Sequence, residues 1–337
     1  MKRAVISGVK EVSFIDSPMP VPKEDWVLVK LRSVPLCTEY KRWEQGVPFP
    51  GHEAAGEVVA TSGYSTKVRV GDRVVVMPSW ACGKCEFCRS GDYIHCLNWY
   101  DYEGFTGLDT MGDTHAQYIM KQDWLLAPIP DGVSYDVAAM ACCGLGPTFG
   151  ALERFPVNSF DTVLITGAGP VGLGGIINAK YRGAKVISVD AIQYRRKLAS
   201  DLGADLVLDA MDKDINEKIF EFTQGKGVNV VLETSGTKGG FNTGLNTIKR
   251  LGKMAIIGEA KEIVINNVFV NLIQKGITIV GQWHFNMSGI HKMMEMIKNC
   301  PSVEKMITHR FPMSQMNEAL AVCSSKNCGK VVLDPWK

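Results

Sequence analysis

Apolar and polar positions along the chain follow two rhythms. Before about residue 125 the apolar residues come in short runs with a period of two. Val27, Val29 and Leu31 occupy alternate positions, as a half-buried strand requires. Segments 56–61 and 73–77 read the same way, and Gly71-Asp72 supplies a turn between them. No helical period dominates here, and short strands punctuated by Gly and Pro predict a barrel-like β domain.

From residue 161 the rhythm changes. Near-continuous apolar runs recur at 162–166, 186–190, 206–208, 229–232, 254–257 and 277–280. Segments of helical length and composition lie between most of them, for instance 193–202 and 238–251. Strand, helix, strand repeated in this way predicts a parallel sheet covered on both faces, and six strands make a complete doubly wound sheet. After residue 290, Met293, Met294, Met296 and Ile297 form a helical stripe that suits core packing, and 330–334 reads as one more strand.

The chain has 337 residues, which calls for two domains. Its formal charge of +2 and 21% charged residues give no electrostatic reason to expect nucleic acid or an anionic membrane as partner. The N-terminus carries charges at Lys10 and Glu11 and lacks a signal-peptide apolar run, and no apolar window is long enough to span a bilayer. A cytoplasmic protein is expected, in a compartment where ten cysteines are thiols or metal ligands rather than disulfides.

Spacing decides what the cysteines do. Cys82, Cys85, Cys88 and Cys96 lie within fifteen residues, joined by Cys-x-x-Cys steps that let neighbouring sulfurs converge on one ion. Four thiolates leave no open position, so a zinc there would be structural. An iron–sulfur cluster is the chemical competitor. A zinc-ribbon nucleic-acid module would want basic surroundings, whereas Glu86, Asp92, Asp101 and Glu103 surround this one.

A second signal is Gly167-Ala168-Gly169-Pro170-Val171-Gly172, which follows a predicted strand and opens a predicted helix. Gly167 allows a tight turn, Gly169 lets the backbone approach a pyrophosphate, and Gly172 lets helix and strand pack closely. The helix N-terminus offers amide donors to phosphate. Asp190 ends the next strand, where a carboxylate accepts from the adenosine ribose and repels a 2′-phosphate, so NAD is favoured over NADP. Arg195 and Arg196 lie close enough to serve such a phosphate.

A catalytic zinc needs about three protein ligands and an open position. The candidates outside the cysteine cluster are Cys37, His52, Glu53 and the adjacent pair Cys142 and Cys143. Each alone reads as an ordinary core or surface residue; the cysteine cluster and the nucleotide turn give the set its weight.

The chain resembles the zinc-containing medium-chain alcohol/polyol dehydrogenases over nearly its whole length. The matching residues are Cys37, Gly51-His52-Glu53 with Ala54-Ala55-Gly56, Gly71-Asp72-Arg73-Val74, the four cysteines, Gly167 to Gly172 and Gly329-Lys330-Val331-Val332. The resemblance implies a GroES-like catalytic domain over 1–152 and 286–337, split around a Rossmann domain over 153–285. It also implies two zinc ions per chain, a homodimer or homotetramer, and NAD held by the glycine turn with Pro170, Val171 and Thr148. Cys37, His52 and Cys143 would bind the catalytic zinc, with Glu53 a supporting group or a transient ligand.

One departure bears on mechanism. In the family a Ser or Thr and then an Asp follow the first ligand after one intervening residue, whereas here the run is Cys37-Thr38-Glu39-Tyr40-Lys41. With one residue deleted, Thr38 takes the proton-relay role, Glu39 orients the zinc-bound His52, and Lys41 stands at the far end of the relay. Without a deletion, Glu39 faces the substrate oxygen. The chemistry implied is hydride transfer from a secondary alcohol to the nicotinamide, with zinc as Lewis acid. Trp43, His115 and Trp283-His284 would line a pocket suited to a polyol, cyclitol or sugar. Competing readings are a dehydrogenase of a simple alcohol or aldehyde, a zinc-free reductase of the same fold, and a redox-sensing NAD-binding module without turnover.

Overall fold

A computed structural model describes residues 1–109 and 112–337. In chain order its strands are β1 (Lys2–Gly8), β2 (Glu11–Asp16), β3 (Trp26–Pro35), β4 (Ala54–Ala60), β5 (Arg73–Val76), β6 (Tyr118–Gln122) and β7 (Leu126–Pro128). There follow β8 (Thr162–Thr166), β9 (Lys185–Asp190), β10 (Leu206–Asp209), β11 (Val228–Glu233), β12 (Ile248–Ile256), β13 (Thr278–Gly281), β14 (Ile307–Pro312) and β15 (Lys330–Asp334). The chain divides into two compact units, one of Met1–Cys143 with Asn286–Lys337 and one of Gly144–Phe285.

In the first unit seven strands form one sheet, in the order β14-β15-β3-β4-β5-β7 with β6 paired to β3. Except for the parallel pair β14–β15, these strands are antiparallel. The period-two pattern at Val27, Val29 and Leu31 implied one buried face, yet Trp26 and Leu28 on the other face are buried too, at 0% and 7% exposure. The reason is an aromatic cluster in which Trp26 meets Trp80, Tyr100, Tyr102 and Phe105 at centroid distances of 4.6–5.9 Å. The central strand is thus covered twice. The main core lies on the opposite face, where Val27, Val29 and Leu31 meet Val58, Val74, Leu320 and Leu333. Met293, Met294, Met296 and Ile297 are buried, as a packing stripe should be.

The second unit is a six-stranded parallel sheet in the order β10-β9-β8-β11-β12-β13. This is the doubly wound order, reversing direction at β8 and β11. Its first helix, Gly146–Arg154, packs on the helix Pro170–Tyr181 through small residues: a Cβ on Gly174 would stand 1.9 Å from the Gly144 carbonyl oxygen. That contact places 144–152, expected with the first domain, in the second unit. The helix expected over 238–251 ends at Thr247, because Ile248 already pairs with Val228. The register then jumps to Val230 against Lys253, with Leu251 at φ +59° in the bulge.

Candidate active site and metal centres

The cysteine cluster is built from a turn and a short helix, Glu86–Arg89, that bring four sulfurs together. The Sγ···Sγ separations are 3.4 Å for Cys85–Cys88, 3.9 Å for Cys82–Cys88 and 3.9 Å for Cys85–Cys96. A tetrahedron of thiolates about 2.3 Å from a zinc ion has edges of about 3.8 Å, so the donor set fits that ion. Backbone amides point at the sulfurs: Lys84 and Cys85 donate to Cys82, and Cys82 and Asn98 donate to Cys96. Amides of Leu97 and Cys88 pull the Cys85 thiol down to about 6. Such donors stabilise thiolate, the form a metal needs.

A second convergence comes from three separate segments. Cys37 lies between β3 and the short helix Glu39–Trp43, His52 and Glu53 immediately precede β4, and Cys143 follows the helix Tyr135–Ala139. One ligand atom from each of Cys37, His52, Glu53 and Cys143 lies within 4.8 Å of all the others. Contact with Cys143 holds the Cys37 thiol well below its usual range; burial opposes this, and Lys330 and His52 reinforce it.

Glu39 is wholly buried, and its two carboxylate oxygens divide their work. Oε1 stands 3.2 Å from His52 Nδ1, and Oε2 accepts the Cys37 backbone N–H at 2.5 Å. The other ring nitrogen, Nε2, lies 3.9 Å from Glu53 Oε1. Burial works against the Glu39 carboxylate, yet His52 holds it down at about 2. Glu53 is equally buried, and Lys330 Nζ stands 2.6 Å from its Oε1 while the Cys143 N–H reaches Oε2 at 3.2 Å. Burial raises Glu53 to about 7, against the opposing Lys330 charge. The motif at 329–332 carries no local signal for this contact, because Glu53 lies far away in the sequence.

Thr38 stands at the N-terminus of the helix Glu39–Trp43 without using its side chain as a cap, and Lys41 follows within that helix, its N–H donating to the Thr38 carbonyl oxygen. The expected pocket residues fare differently. Trp43 is 4% exposed, lies in the main core and gives its indole N–H to Asn317 at 2.9 Å, so it packs rather than lines a pocket. His115 is 1% exposed, its Nδ1 3.1 Å from Asp113 Oδ1, which likewise removes it from a solvent-open pocket. Trp283 is exposed, in the second unit.

The glycine turn follows its expected roles locally. Gly167 has φ +91° and donates its N–H to the Val189 carbonyl oxygen at 2.8 Å. A Cβ on Gly172 would lie 1.8 Å from the Gly167 carbonyl oxygen, so helix and turn touch there. A Cβ on Gly169 would meet only the Arg195 guanidinium, 3.5 Å away, which leaves space over this backbone for a ligand. Pro170 and Val171 start the helix Pro170–Tyr181. Asp190 accepts the N–H of Ala168 at 2.6 Å and that of Ile192 at 2.7 Å, bracing the turn from the end of β9. Arg196 is committed to Asp209 and to the carbonyl oxygens of Asp190 and Ala191. Thr148 is fully buried, donating to Leu145 and accepting from Asn178, so its hydroxyl serves helix packing and not a ligand.

Comparison with known proteins agrees with this architecture. Residues 23–131 match the alcohol dehydrogenase GroES-like domain, and residues 170–299 match the zinc-binding dehydrogenase family. The chain is 30% identical to an uncharacterized zinc-type alcohol dehydrogenase-like protein of Escherichia coli, covering 99% of this chain and 98% of that one. It is also 30% identical to the sorbitol dehydrogenase of Bacillus subtilis, over 99% and 97% of the two chains. An alcohol dehydrogenase of Thermotoga maritima superposes with a TM-score of 0.85 at 26% identity, covering 99% of this chain and 98% of that one. The chain belongs to the zinc-containing medium-chain alcohol/polyol dehydrogenase family. It is an enzyme, an alcohol/polyol oxidoreductase. Among the described residues no helix is long and apolar enough to cross a membrane.

Proposed function

We propose that this enzyme interconverts a secondary alcohol of a polyol, cyclitol or sugar and its ketone, with NAD as hydride acceptor and two zinc ions per chain. The observation that carries the reading is the convergence of Cys37, His52 and Cys143, with Glu39 behind His52. Those three residues would hold a catalytic zinc, and the four-cysteine cluster a structural one. Held there by Cys37, His52 and Cys143, a zinc ion would supply Lewis acidity toward a bound hydroxyl.

The protein's own groups divide the remaining work. Glu39 flanks the His52 ring with a carboxylate oxygen 3.2 Å from Nδ1, the usual place of a carboxylate behind a ligating histidine. Thr38 carries the substrate proton, its hydroxyl being free of capping duty, and Lys41 stands at the far end of that route. Glu53 supports rather than coordinates, because Lys330 and the Cys143 amide engage its two oxygens. The turn at Gly167, Gly169 and Gly172 receives the pyrophosphate of the cofactor, and the Asp190 carboxylate disfavours a 2′-phosphate. Arg195 stands over Gly169, where it would meet phosphate.

With Trp43 and His115 buried, the polyol reading rests on relatives named sorbitol dehydrogenase and D-arabitol-phosphate dehydrogenase. The test is NAD reduction by the zinc-loaded enzyme across a panel of polyols, cyclitols, sugars and simple alcohols, with Cys143→Ala as control. The expected result is turnover with a polyhydroxylated secondary alcohol, reduced at least a hundredfold, on the order of 3 kcal/mol of barrier, in the variant. Full activity in Cys143→Ala would overturn the site assignment.

A further inference from the structure

Gly51 precedes His52, and it is gripped from both sides by one segment of a distant loop. Its N–H donates to Asp113 Oδ1 at 2.7 Å, and its carbonyl oxygen accepts the Thr114 N–H at 3.1 Å. The same Asp113 Oδ1 accepts the His115 N–H at 2.8 Å and lies 3.1 Å from His115 Nδ1. Arg3, from β1, brings a guanidinium to 4.0 Å from Asp113 Oδ2. Arg3, Asp113, Thr114 and His115 are all 6% exposed or less. The fit against Gly51 is close: a Cβ there would stand 2.5 Å from Thr114 Oγ1 and 2.7 Å from His115 Nε2, so only glycine admits the loop.

We infer that Asp113, with His115 and Arg3, is a positioning residue that sets the backbone of the zinc ligand His52 through Gly51. This rests on the reading of Cys37, His52 and Cys143 as a zinc site. Glu39 fixes the ring of His52 from its side-chain end, while Asp113 fixes its main chain from the N-terminal side. A carboxylate is suited to this because one oxygen takes two backbone N–H groups beside the His115 ring, and the Arg3 charge offsets its burial. His115 holds the carboxylate in place, which accounts for a histidine buried next to the metal site without lining a pocket. Loss of the carboxylate leaves the Gly51 N–H without its acceptor in a buried setting, and His52 then shifts relative to Cys37 and Cys143.

The test uses the full-length chain loaded with cobalt(II), whose visible spectrum reports ligand geometry, followed by the rate at which a chelator removes the metal. In Asp113→Ala the absorption band of the three-ligand site should change. Metal release from that site should accelerate about 10- to 100-fold, the range typical of lost groups behind metal ligands. The four-cysteine site serves as internal reference, its release rate unchanged. Asp113→Asn retains an acceptor oxygen for Gly51 and should restore the parental spectrum and release rate. Should Asp113→Ala fold poorly, His115→Asn, which removes the ring beside Asp113 and adds no bulk against Gly51, should show the same change in smaller degree. An Asp113→Ala spectrum and release rate equal to the parent's would overturn the inference. A parent that binds cobalt only at the four cysteines would instead refute the zinc-site reading itself.

Discussion

Glu39 occupies the position where the sequence left two alternatives, orienting His52 or facing the substrate. Its geometry favours the first: full burial, one oxygen on the Cys37 amide and the other at His52 Nδ1. The relay assignment to Thr38 follows from that choice and is part of the proposal. The Glu39 interaction has a pH signature in the metal-free protein. Its folded value of about 2 lies below the ordinary 4.5, so the carboxylate adds stability that is complete above pH 4.5 and is lost as pH falls through 2. The full effect is on the order of 3 kcal/mol. The melting temperature of the metal-free parent should exceed that of Glu39→Gln near neutrality, and the gap should close on acidification across this window. A gap independent of pH would contradict the ion pair. Other residues at this scale were beyond reach of the sequence. Lys330 meets Glu53 across most of the chain, and Asp113 reaches Gly51 from a loop with no periodicity of its own.

The strands and the glycine turn were the most legible elements. All six strands of the parallel sheet fall on apolar runs; the inner strands β8, β9 and β11 are buried on both faces and so read as continuous apolar segments, while the edge strands β10 and β13 are only partly buried. The misjudged end of the helix Lys238–Thr247 came from Ile248, whose strand pairing overrides any local helical preference. Trp26 in a strand and Trp43 at the end of a short helix show the same limit. Which face an aromatic residue covers depends on neighbours such as Asn317 and Trp80, which no local pattern names. Within the glycine turn, two substitutions should behave differently. In Gly172→Ala the new Cβ collides with the Gly167 carbonyl oxygen, so both melting temperature and NADH affinity should fall, the affinity at least tenfold, or about 1.4 kcal/mol. In Gly169→Ala the protein leaves room, so melting should stay near the parent while NADH affinity falls. Fluorescence titration with NADH and thermal melts read both. Equal melting curves for the two variants would count against the packing role of Gly172.

At the scale of the whole molecule, the first unit is assembled from both ends of the chain. β15 pairs with β3, and this return brings Lys330 to Glu53 beside the ligands contributed by the N-terminal segments. A split unit of this kind is foreseen from family resemblance and not from periodicity, since a local pattern carries no record of which distant strand it will join. The exchange of 144–152 between units has a similar cause, the close approach of Gly144 and Gly174. The central claim, that Cys37, His52 and Cys143 form a zinc site separate from the four-cysteine cluster, is tested most directly by zinc content per chain in the parent and in Cys143→Ser. The account predicts two zinc ions in the parent and one in the variant. A variant that still holds two, or a parent that holds only one, would contradict it.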